Sequence, residues 1–107
     1  YIAKNVVATK LAKKCLLQLS YAIGVAKPIS IYLKTDRGSD LDTNKIISII
    51  KNHVDLSPDG IKIHLKLDQP IYEATSTYGH FGRDYVSKTG SFSWERLDLA
   101  EKILNEY

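Results

Sequence analysis

Two runs of alternating apolar and polar residues stand out in this chain. In the first, Leu17, Leu19, Tyr21 and Ile23 alternate with Gln18, Ser20 and Ala22. In the second, Ile29, Ile31 and Leu33 alternate with Ser30, Tyr32 and Lys34. A period of two puts the larger apolar side chains of a strand on one face. Gly24 and Pro28 bracket the connection: glycine permits a left-handed turn, and proline, lacking a ladder donor, is tolerated at a strand's first residue. The connection is too short for a parallel crossover, so the spacing predicts an antiparallel hairpin over 16–35.

Elsewhere the apolar period lengthens to three and four. Ile2, Ala3, Val6, Val7 and Leu11 predict a helix over 1–14, with Lys10, Lys13 and Lys14 in its last turns. After the turn at 36–40, Ile46, Ile47, Ile50 and Val54 share a helical face over 43–54, with Asp42 or Thr43 as N-cap. Residues 57–67 are ambiguous. Ser57-Pro58-Asp59 is a helix start, yet Ile61, Ile63, Leu65 and Leu67 alternate like a strand. A short helix is the reading preferred here. Thr75 to Arg83 reads as a loop whose glycines, Gly79 and Gly82, pin an aromatic against the body of the protein. Residues 84–92 read as exposed. From Trp94 a last helix runs to about 105 with Leu97, Ala100, Ile103 and Leu104 inward. The expected fold class is therefore α+β, a hairpin with helices packed on one face.

At 107 residues the chain is one domain, or part of one. It contains no Met, and no capping residue precedes Tyr1, so a fragment of a longer polypeptide is expected. No apolar run reaches the length of a membrane span and no signal-peptide layout opens the chain, so no membrane partner is expected. The single cysteine, Cys15, leaves no internal disulfide, and a reducing, cytoplasmic setting is the default. The net charge of +3 gathers in the first half, where a basic face could meet phosphates or an acidic partner.

Candidate chemistry is sparse. His53, His64 and His80 match no metal-ligand spacing, so no metal site is expected. Cys15 opens an apolar strand, where a thiol is ordinarily inert core. Gly79 and Gly82 lack the Gly-Lys-Ser/Thr ending of a phosphate loop. The aromatic residues do not cluster on alternating strand positions, which argues against nucleic acid. No catalytic constellation emerges from the residues alone.

Several segments, in order, resemble the C-terminal part of the S-adenosylmethionine synthetase (methionine adenosyltransferase) family. They are Tyr1-Ile2-Ala3-Lys4-Asn5-Val6-Val7-Ala8, Ser20-Tyr21-Ala22-Ile23-Gly24-Val25-Ala26 with Pro28, and Leu56-Ser57-Pro58. Pro70-Ile71-Tyr72, Tyr78-Gly79-His80-Phe81-Gly82-Arg83 and Phe92-Ser93-Trp94-Glu95 continue the series. The chain departs from the pattern at Lys27, where an acid is common, at Ser93, where proline is usual, and in extra residues between Arg83 and Phe92.

The resemblance implies a domain spanning 1–107, one of three similar α+β domains with interleaved segments. The activity implied is attack of the methionine sulfur on C5′ of ATP, with release of phosphate and pyrophosphate. A thioether is a weak nucleophile, so positioning must carry much of the barrier, and the departing triphosphate calls for Mg²⁺ and cationic side chains. K⁺ assists many members. The family's catalytic and metal-binding residues belong to earlier parts of its sequence, so none is expected here. The one family position that carries over is Ile23, as a substrate-pocket residue, with an ordinary core isoleucine as the competing reading. Substrates ATP and L-methionine and a homodimer or homotetramer follow from the same resemblance. The rival is a stand-alone, non-catalytic binding module with a basic face.

Overall fold

The computed structural model describes residues 1–25, 27–28, 30–76 and 79–107. The expected inward position of Ile29, and Tyr78 of the loop motif, lie outside the described residues, as do Ala26 and Thr77.

Strands β1 (Cys15–Ser20) and β2 (Ser30–Thr35) pair antiparallel, with Leu17 opposite Leu33 and Leu19 opposite Ile31. Cys15, Leu17, Leu19, Ile31, Leu33 and Thr35 form the inner face, and Leu16, Gln18, Tyr32 and Lys34 face outward. The hairpin is thus the expected one, but shorter. Tyr21 and Ile23 are not strand residues, because β1 ends at Ser20 and the connection occupies 21–29.

Helices cover the inner face. Helix α1 (Ile2–Ala8) packs on β1, α2 (Thr43–His53) packs on β2, and α4 (Asp98–Glu106) packs against both α1 and α2. Ile2, Val6, Leu33, Ile46, Ile50 and Ile103 belong to the core between them. In α2 the buried stripe is Ile46, Ile49 and Ile50, with Ile47 half-buried, and Asp42 caps the helix by accepting from the Lys45 amide at 3.1 Å.

The first helix stops well short of residue 14. Thr9 Oγ1 donates to the Val6 carbonyl at 2.5 Å and accepts the Leu11 amide at 3.2 Å, a local alternative to helix continuation. Lys10 then turns left-handed (φ 64°), and the amides of Lys13 and Lys14 donate to Asp36 Oδ1 at 3.0 and 3.2 Å. Asp36 thereby steers the chain into β1, so these lysines do not complement a helix end.

Helix α3 (Pro58–Leu65) settles the ambiguous stretch. Ser57 caps it through the Gly60 amide at 3.0 Å. At helical spacing Ile61 and Leu65 turn inward while Ile63 is 75% exposed, so the apparent alternation sends one isoleucine to solvent. Its C-terminus is Schellman-like: Lys66 is left-handed (φ 53°), and the Leu67 amide returns to the Lys62 carbonyl at 2.9 Å.

A second core cluster holds Leu65, Ile71, Phe92 and Trp94. Residues 84–89 are exposed as expected, but Phe92 at the segment's end is buried. Trp94 does not open a long helix. It sits in a 3₁₀ turn (Ser93–Glu95), and α4 starts only at Asp98. The register differs accordingly: Leu99, Ala100 and Ile103 are buried, whereas Leu97 and Leu104 are exposed. No helix among the described residues is long and apolar enough to cross a membrane.

Candidate functional site

Ile23 sits at the tip of a tight turn. The Val25 amide donates to the Ala22 carbonyl at 3.1 Å, and Gly24 has φ +81°. An i→i+3 bond with a left-handed glycine at the third position is the signature of a type II turn, which only glycine and a few polar residues accept there. Ile23 therefore occupies the second position of the turn. Its relative exposure is 107%, so the competing core reading does not hold for this residue.

The turn is fastened from below. The Tyr21 hydroxyl donates to the Leu56 carbonyl at 2.6 Å, joining the start of the turn to the α2–α3 junction. That junction is itself ordered: Val54 and Leu56 are buried, and Asp55 Oδ1 accepts the Ser57 amide at 3.0 Å. The Ser57 amide and hydroxyl hold the Asp55 carboxyl below its usual range. Further along the same connection, Lys27 and Pro28 face residues 51–57 across an open cleft of about 600 Å³ lined also by Lys51, His53 and Asp55. The pattern of alternating residues gave no sign of the Tyr21 tether, because it spans 35 positions.

The His80-Phe81 loop is held differently from expectation. Gly79 (φ +87°) and Gly82 (φ +76°) bend the backbone, and two buried residues grip it. Trp94 Nε1 donates to the His80 carbonyl at 2.6 Å, and the Gly82 amide donates to Glu95 Oε1 at 2.8 Å. The backbone is pinned to the body, whereas the Phe81 ring stands 77% exposed. Glu95 also pairs with Lys4 of α1. Burial pushes its carboxyl up, but the Lys4 and Gly82 bonds outweigh it and the net pKa is lowered.

The histidines stay apart. His64 contacts the Tyr1 hydroxyl at 3.1 Å, and burial followed by the nearby Arg96 charge lowers its pKa. His53 pairs with Glu106, and the His80 ring lies 6.3 Å from Trp94. Cys15 faces the core beneath the hairpin, and burial raises its thiol pKa. Among the described residues no three His, Cys, Asp or Glu are placed to hold a metal ion. Part of the basic first half is engaged internally: Lys4 with Glu95, and Lys45 with the Tyr107 carbonyl at 2.5 Å.

The family model described as S-adenosylmethionine synthetase, C-terminal domain, matches residues 1–96. The chain belongs to the S-adenosylmethionine synthetase family. The S-adenosylmethionine synthase of Ruegeria pomeroyi is 55% identical over 103 residues, 96% of this chain and 26% of the relative. That of Paramagnetospirillum magneticum is 52% identical over 103 residues, with the same coverage of 96% and 26%. An unusual S-adenosylmethionine synthetase from Campylobacter jejuni superposes with a TM-score of 0.79 at 33% identity, covering 98% of this chain and 27% of that one. The chain thus spans about a quarter of the length of these relatives. The α+β architecture expected from the sequence is the one this synthetase domain adopts. The departure at Ser93 has a local counterpart here: its buried hydroxyl donates to the Leu65 carbonyl, which proline could not do.

Proposed function

We propose that this chain is the C-terminal domain of an S-adenosylmethionine synthetase, which forms S-adenosylmethionine from ATP and L-methionine with release of phosphate and pyrophosphate. The family match along 1–96 is the observation that carries the reading. Within the complete enzyme the domain is a scaffold: it presents Ile23 to the substrate pocket and supports a homodimer or homotetramer in the cytoplasm. An isoleucine fully exposed on a fixed turn suits apolar contact with a substrate supplied from outside this domain.

Mg²⁺ and K⁺ would be held elsewhere in the enzyme, as the family resemblance implies; among the described residues no three His, Cys, Asp or Glu are placed to hold a metal ion. The domain is incomplete by itself on this reading. A largely apolar groove of about 280 Å³ between Ile2, Leu17, Leu19, Ile61 and Leu65 suits covering polypeptide from the rest of the enzyme.

Product formation from ATP and methionine, assayed on this chain and on any longer gene product, tests the proposal. Activity confined to the longer product is expected. Unaided synthesis by the 107-residue chain would refute the scaffold role. If no longer product exists, the stand-alone module with a basic face is the reading left.

A further inference from the structure

We propose that Tyr21 is a positioning residue for substrate, acting through Ile23. This rests on the reading that Ile23 meets substrate. The argument starts from the length of the connection. Residues 21–29 join two strands whose last pair is Ser20 with Ser30, so the ladder itself does not hold Ile23. Within 21–25 the backbone bond from the Val25 amide to the Ala22 carbonyl closes the turn, and it fixes the turn's shape but not its direction.

Direction comes from Tyr21. Its hydroxyl reaches the Leu56 carbonyl at 2.6 Å, two residues before the tip. Leu56 is buried, and its neighbours are the end of α2 and the cap of α3, so the acceptor belongs to the rigid body. A half-exposed tyrosine with a well-made bond to such an acceptor couples a projecting turn to the core. Without it the type II turn would persist and swing about Ser20. An apolar contact depends on sub-ångström placement, so a swinging Ile23 binds less well.

The test uses the complete enzyme that carries this domain and the variants Tyr21→Phe, Ile23→Ala and the double variant. Y21F keeps the ring and removes the bond, which predicts a rise of about 2–10-fold in KM for the substrate Ile23 meets, with kcat nearly unchanged. In the I23A background the same change should have almost no further effect, since Tyr21 acts only through Ile23. Hydrogen exchange over 22–25 should quicken in Y21F, while the melting temperature stays close to wild type.

Additive effects in the double variant would overturn the proposal, as would a fall in kcat and melting temperature with KM unchanged. A raised KM in I23A with a neutral Y21F rejects the tether and keeps the pocket reading. A neutral I23A removes both.

Discussion

Asn5 caps a helix to which it does not belong. Its side-chain oxygen accepts the Ala100 amide at 2.8 Å, in the first turn of α4. A residue at the N-cap would ordinarily satisfy that donor, but the N-cap of α4 is Leu97, which has no side-chain acceptor. The Asn5 amide nitrogen completes the arrangement by donating to the Tyr1 carbonyl at 2.9 Å and the Arg96 carbonyl at 2.8 Å. With relative exposure of 0%, Asn5 thus fastens the first helix to the last.

Removing this side chain should be costly. Asn5→Ala strands the Arg96 acceptor in a dry site and leaves the Ala100 amide only its longer 3.2 Å bond to the Leu97 carbonyl, for a loss of about 1–3 kcal/mol of stability. Asn5→Asp keeps the size but cannot donate when ionised, so it should be at least as damaging at neutral pH. Urea melts of the three proteins check the order.

Acid should weaken the Glu95 bracket. Its folded pKa lies below the ordinary value of 4.5, so its stabilisation is fully present above that value. The contribution fades as pH falls through the lowered folded pKa. Glu95→Gln keeps an acceptor for Gly82 but loses the pair with Lys4, a cost of about 1–2 kcal/mol at pH 7 given that Lys4 is partly exposed. Melting temperatures of the two proteins should converge on acidification from neutral pH. A constant gap down to strongly acid pH would reject the ion pair as the source.

Gly60 inverts the usual helix rule. Replacing a helical glycine by alanine ordinarily gains about 0.5–1 kcal/mol. Here a Cβ would lie 2.4 Å from Asp55 Cγ and 2.6 Å from the Asp55 backbone oxygen. Backbone cannot retreat as a side-chain tip can, so Gly60→Ala should destabilise by about 1–3 kcal/mol. A denaturation midpoint equal to or above wild type would contradict that packing.

Ile23→Ala should separate binding from stability. The side chain is fully exposed, so the melting temperature should hold, as for most surface changes within about 0.5 kcal/mol. In the complete enzyme catalytic efficiency should fall by about 1–3 kcal/mol through lost apolar contact. Unchanged kinetics would reject the pocket role.

Local patterns were legible wherever one segment decides its own conformation. The Leu17/Leu19 and Ile31/Leu33 alternation fixed the hairpin and its inner face, and Asp42 and Ser57 marked the starts of two helices, because caps and periods act over a few residues. Family membership was legible too, through short motifs in order. The stopping points were not. Thr9 ended α1 with help from Asp36, and Tyr21 left the strand for a carbonyl on Leu56. Leu97 and Leu104 gave way to Leu99 once Trp94 was drawn into the second core. Asn5, which is not among the stripe residues Ile2, Ala3, Val6, Val7 and Leu11, became the cap of a distant helix. Each of these depends on a partner far along the chain, and only folding brings such partners within hydrogen-bonding distance.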